Sequence, residues 1–112
     1  MFDIVAYDGL TNSSLSRSCT VDVNTKYYIF SSWWTSTSIS ILIDGLQFNK
    51  GNLSNGNTYQ TDFGKVTILQ IVSGGHGYVL CEYIPSLSHS FNWNVSYYNE
   101  PNFREASFCM WH

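Results

Sequence analysis

SFNWNVSYY, residues 90–98, alternates without a break: Phe91, Trp93, Val95 and Tyr97 fall on one side of an extended chain, and Ser90, Asn92, Asn94 and Ser96 on the other. Successive side chains of a strand point to opposite faces, whereas a helix returns to one face every three or four residues. An unbroken period of two therefore predicts a strand with one face in a core and the other in water. The same period appears on either side of shorter turns. In SCTVDV (18–23), Cys19, Val21 and Val23 oppose Ser18, Thr20 and Asp22, and in TSISILI (37–43), Ile39, Ile41 and Ile43 alternate with Ser38 and Ser40.

Turn signals punctuate these runs. Gly74-Gly75-His76-Gly77 separates KVTILQIVS from YVLCEYI and predicts a central hairpin that ends at Pro85. KVTILQIVS is apolar on both faces, with Val66 and Ile68 on one and Leu69 and Ile71 on the other, so the hairpin is expected mid-sheet or covered on both sides. Asp44-Gly45 and Asn55-Gly56 both suit type I′ turns. Strands are expected at 2–7, 18–23, 26–34, 37–43, 57–61, 65–73, 77–84 and 90–98, with a ninth near 106–111. Residues 100–106 offer only a short helical turn beginning at Pro101. So many short strands outgrow one open sheet. The expected fold is a single all-β domain over residues 1–112, an antiparallel β-sandwich or jelly-roll-like barrel of about eight to nine strands.

Charged residues make up 12% of the chain and aromatic residues 17%. An ordinary soluble domain is roughly 25% charged. Uncharged Ser, Thr and Asn fill the polar positions instead, which points to a surface made for contact. With a net charge of −3 and five scattered Lys and Arg, no basic stripe can neutralise phosphates, so nucleic acid is not an expected partner. No apolar run approaches a membrane span, and MFDIVAYDGL places Asp3 and Asp8 where a secretory signal needs a basic end and a long apolar run. The chain thus reads as a complete product made in the cytoplasm, or as a mature part that begins at an added Met. Its three cysteines are expected as reduced thiols, and the sequons at Asn12, Asn52 and Asn94 as by-products of composition.

Motifs for catalysis are missing. Ser, His and Asp are present without a Gly-x-Ser-x-Gly elbow, and GGHG is a hairpin turn, not a phosphate loop. Glu82 has no evident carboxylate partner. His76, His89 and His112 could join Cys109, Asp62 or Glu82 around a metal, but the only close pair is Cys109/His112, and His76 sits in a turn tip open to solvent. No enzyme activity, metal or cofactor is expected.

Cys19, Trp33 and Cys81 are spaced in a way that resembles the Cys–Trp–Cys pin of immunoglobulin domains, over about two-thirds of the chain. That resemblance implies a sandwich and leaves a Cys19–Cys81 bond open. The family's tyrosine, two residues before the second Cys, is replaced by Val79, and GGHG makes a tight hairpin where the family crosses between sheets. The likeness therefore supports the architecture more than the family.

YYIFSSWW (27–34) is aromatic on both faces: Tyr27, Ile29, Ser31 and Trp33 point one way, Tyr28, Phe30, Ser32 and Trp34 the other. One Trp can enter the core, but a strand apolar on both sides leaves a patch to be covered. Tyr28, Phe30, Trp33 and Trp34, with Trp111 near the C-terminus, are the candidate contact residues. Two functions fit. The first is a non-enzymatic structural subunit of a virus or phage particle: a capsid decoration (cement) protein or a tail or spike component. It would form a homo-oligomer such as a trimer and bind a major capsid or tail protein within the virion. The alternative is a carbohydrate- or receptor-binding module in which Trp33 or Trp34 stacks on a host glycan.

Overall fold

The computed structural model describes residues 2–9, 14–33, 38–49, 51, 53–98 and 105–111, and the side chains of 18–33, 38–49, 51, 53–96 and 106–110. Ten strands are described: β1 (Phe2–Gly9), β2 (Ser14–Val21), β3 (Lys26–Ser32), β4 (Ser38–Ile43), β5 (Leu46–Asn49), β6 (Thr58–Gln60), β7 (Gly64–Val72), β8 (Tyr78–Pro85), β9 (His89–Tyr98) and β10 (Glu105–Trp111). They form two antiparallel sheets, β1-β10-β3-β8-β7-β6 and β2-β9-β4-β5. The pairs β1/β10, β2/β9 and β3/β8 nest like the layers of one long hairpin and fall alternately into the two sheets. With β4/β5 innermost, this is the strand order of a jelly roll, extended by the β6–β7 hairpin beyond β8. The all-β sandwich expected from the sequence is the observed fold.

Most expected strands form within a few residues of their places. β2 begins earlier and ends at Val21, because the chain turns at 22–25 with the Thr25 N–H donating to Asp22 O at 3.0 Å. β5 is the strand that counting leaves out. Asp44 and Gly45 both have positive φ (48° and 83°), the geometry of the expected type I′ turn, and they fold LQFN back so that Ile43 faces Leu46 and Ile41 faces Phe48. Glu105 begins β10 rather than ending a helical turn, and residues 100–104 lie outside the described residues.

The Asn55-Gly56 turn departs from the expected type. Only Gly56 of the pair has positive φ (83°), and the Asn57 N–H donates to Ser54 O at 3.2 Å, as in a type II turn. The turn is tied to β7, since the Gly56 N–H donates to Ile68 O at 2.7 Å and the Ile71 N–H to Asn55 Oδ1 at 2.7 Å. At this point β7 bulges: the register steps from Ile68 opposite Cys81 to Gln70 opposite Leu80. One extra residue inverts the inward parity. Ile71 therefore packs against the core on the same side as Val66 and Ile68, and not on the face shared with Leu69 that simple alternation predicts.

Between the sheets lies an aromatic core. Phe108 stacks on Tyr27 (5.1 Å between ring centres) and on Phe91 (4.7 Å), and Tyr83 lies 4.8 Å from Phe91. Phe91, Trp93 and Val95, the inward residues of the SFNWNVSYY stretch, are all buried, as is Trp33. None of the three cysteines is in a disulfide. Cys19 and Cys81 do stand in opposite sheets, but β10 separates β3 from β1 and β9 lies beside β2, which is jelly-roll order and not that of an immunoglobulin domain.

Candidate functional site

The outward side of the six-stranded sheet is built from β3 and β8. In β3, Tyr27, Ile29 and Ser31 are buried, while Tyr28, Phe30 and Ser32 are half-buried on the opposite side. In β8, Val79, Cys81 and Tyr83 are buried, and Tyr78, Leu80, Glu82 and Ile84 are the half-buried set. The register aligns these outward residues in rows. Tyr28 lies between Cys109 and Glu82, and Phe30 between Ser107 and Leu80. The Phe30 and Tyr78 rings are 5.7 Å apart, and Val72 of β7, opposite Tyr78, adds a side chain 39% exposed. Charge on this side is sparse: Lys26 Nζ lies 3.6 Å from Glu82 Oε2, at the edge of the aromatic rows. Glu82 thus has a basic partner.

The proposed contact residues separate here. Tyr28 and Phe30 come together on this face. Trp33 does not: it is 1% exposed, its Nε1–H donates to Gly74 O at 2.5 Å, and its N–H donates to Gly77 O at 3.1 Å. The indole covers Gly77 so closely that a Cβ there would come within 2.6 Å of the ring. Trp33 therefore anchors the β7–β8 turn and cannot stack on a ligand. Trp34 lies outside the described residues, and Trp111 closes β10 with its backbone opposite Phe2 and Lys26.

The outward side of the four-stranded sheet differs in chemistry. Its described residues include Ser18, Thr20, Ser40, Leu42, Gln47, Ser90, Asn92, Asn94 and Ser96, with no charge among them. They bond to one another: Ser18 Oγ lies 3.2 Å from Ser90 Oγ, Gln47 Nε2–H donates to Ser40 Oγ at 2.9 Å, and Ser96 Oγ–H donates to Asn94 Oδ1 at 3.1 Å.

One buried polar cluster joins the sheets. The Tyr83 hydroxyl of β8 donates to Asp44 Oδ2 in the β4–β5 turn, and His89 Nε2 of β9 lies 2.9 Å from the same oxygen. Side chains of Asp44 and His89 are 1% and 8% exposed. His89 Nδ1 lies 2.8 Å from Leu87 O. A carbonyl only accepts, so Nδ1 is placed to donate to it, and Nε2 faces both Asp44 Oδ2 and the Tyr83 hydroxyl, 3.2 Å away. Burial, then the Asp44 hydrogen bond and charge, push the Tyr83 hydroxyl well above its ordinary range. Burial and then Asp44 also raise the Cys19 thiol. Gly64 passes under Tyr83, where a Cβ would come within 2.5 Å of its oxygen. The named polar atoms of Asp44, Tyr83 and His89 all have partners within the fold, so the cluster acts as a latch between sheets. Beside it opens a cleft of about 130 Å³ lined by Asp44, Gly45, Leu46, Gln60, Thr61 and Asp62. Small-molecule sites run to roughly 300–1,000 Å³. Among the described residues no group of three His, Cys, Asp or Glu side chains is placed to hold a metal ion.

No protein-family model, curated protein or solved structure matches this chain. Its site must therefore be read from its own geometry. Sequence reasoning found Tyr28 and Phe30 through the doubly apolar strand, and missed Tyr78, Leu80 and Ile84. YVLCEYI carries the same signal, being apolar at both parities. The latch had no local signal, because Asp44, Tyr83 and His89 meet only across the sandwich.

Proposed function

We propose that this protein is a non-catalytic structural module of an assembled virus or phage particle, of the capsid-decoration or tail and spike kind. Its working part is the outward side of the six-stranded sheet. The observation that carries the proposal is the row of half-buried Tyr28, Phe30, Tyr78, Leu80 and Ile84 on a face that the core does not need. Contiguous apolar patches of this kind mark interaction surfaces, and aromatic residues are enriched at the centre of interfaces. A jelly roll suits the role, because viral capsid domains use that architecture; lectins use it too, so the fold alone does not decide. The low charge means that neighbours can close on this face without desolvating many ions.

Gradient fractionation of the natural source tests the proposal. The chain should sediment with particles far larger than 12.8 kDa, and Phe30→Asp should return it to the top of the gradient. Sedimentation of the unaltered chain as a small free protein would overturn it. The recognition reading survives in changed form: Tyr28 and Tyr78, rather than Trp33, are the rings that could meet a glycan. Binding on a glycan array that disappears with Tyr28→Ala would favour that reading.

A further inference from the structure

We propose that a second copy of this chain covers the outward side of the six-stranded sheet, in a two-fold dimer packed sheet against sheet. The inference rests on the contact role just assigned to this face and names its immediate partner. Three observations converge on a second copy.

Area comes first. Six strands about 4.8 Å apart, each about seven residues long, present a face of roughly 700 Å² in projection, and side-chain relief adds to it. A standard stable interface buries about 800 Å² on each partner. The face is thus large enough to hold a dimer without help from loops.

Shape is the second. Sheets carry a right-handed twist of fixed sense, and two faces of equal twist pack aligned, about 10 Å apart, with their side chains interdigitated. An identical sheet supplies that matching twist automatically. Phe30 and Leu80, opposite each other at the middle of the face, would lie near the two-fold axis and become its packed centre.

Charge is the third, and it chooses the axis. Lys26 and Lys65 both stand at one end of the face, Lys65 opposite Ile84, whereas Ser32, Tyr78 and Val72 form a row without lysine at the other end, where Glu105 of β10 stands opposite Ser32. An axis parallel to the strands would lay the two lysine ends on each other. An axis across the strands places each lysine end over the partner's Ser32–Tyr78 end and keeps like charges apart. The Lys26–Glu82 pair is already formed within one chain, so closing the face strands neither charge alone.

Sedimentation equilibrium of the purified chain should give twice the 12.8 kDa chain mass at micromolar concentration. Phe30→Asp should give a monomer. Gln70→Arg provides a version that disturbs no packed core: Gln70 is exposed in the Phe30–Leu80 row, and a charge repeated across the axis should weaken association at least tenfold while the melting transition of the monomer is unchanged. Leu42→Asp on the other sheet and Phe63→Asp in the β6–β7 turn should leave the dimer intact. A monomeric wild type, a dimer indifferent to Phe30→Asp and Gln70→Arg, or one broken by Leu42→Asp or Phe63→Asp overturns the proposal. A monomer that still loses its sedimentation with particles on Phe30→Asp removes the dimer but leaves the structural role standing. A dimer that never sediments with particles does the reverse.

Discussion

The two outward faces of the sandwich are made by the same kind of strand and carry opposite chemistry. On the four-stranded sheet, Ser90, Asn92, Asn94 and Ser96 point outward, Ser90 beside the Ser18 hydroxyl and Ser96 donating to Asn94. On the six-stranded sheet the equivalent positions are Tyr28, Phe30, Tyr78 and Leu80. The core asks only that one parity of each strand be apolar. What occupies the other parity is free to record function, and here one face is kept wet while the other is kept sticky. On the proposed reading, the difference separates residues that fold the protein from residues that make its contacts.

The largest expected effect lies inside both faces. Phe108→Ala removes a fully buried ring from its stacks on Tyr27 and Phe91 and should cost about 3–5 kcal/mol in urea unfolding. Phe30→Ala, measured in the monomeric state, should cost about a third of that or less, because its ring is only half-buried. Equal losses would erase the distinction between folding and contact residues.

Alkaline pH sharpens the contrast next, through two cysteines of the six-stranded sheet. Burial pushes the Cys81 thiol from its ordinary 9.0 up to about 12, whereas Cys109 is half-buried. Because the folded state favours the protonated thiol, the contribution to stability is complete below about pH 9 and is lost as pH rises toward 12. Over that window the loss amounts to at most about 4 kcal/mol. Urea midpoints should fall accordingly, and Cys81→Ala should flatten the fall. At neutral pH and in the monomeric state a thiol reagent should modify Cys109 well before Cys81; the reverse order would contradict the assigned faces.

Asp44→Asn comes third. It keeps a residue that tolerates the positive φ of the turn but takes the charge from the Tyr83–Asp44–His89 latch, at a cost of about 2–3 kcal/mol. A loss of less than about 0.5 kcal/mol would show that the sheets do not need the latch to stay together. The smallest effect belongs to the polar face. Ser90→Ala removes one exposed hydroxyl contact, to Ser18, and should change stability by no more than about 0.5 kcal/mol and association not at all.

Where alternation is local, it was readable residue by residue. Phe91, Trp93 and Val95 are buried as their period requires, and the two faces of YYIFSSWW divide as alternation predicts up to Trp33. Legibility stopped where a distant segment intervened. The Asn55-Gly56 turn braces the bulge that turns Ile71 inward, and neither segment announces the other. Trp33 looked like a contact residue because nothing near it in the chain shows that Gly74 and Gly77 cover it.

Composition and period by themselves determined an all-β sandwich, the inward parity of its regular strands and a surface poor in charge, because side-chain direction along a strand depends only on local backbone geometry. Tertiary structure alone decided the jelly-roll order, the latch at Asp44, Tyr83 and His89, and which of two apolar strand faces remains outside. Each of those depends on pairing between residues far apart in the chain, and period-two alternation is the same whichever neighbour a strand finds.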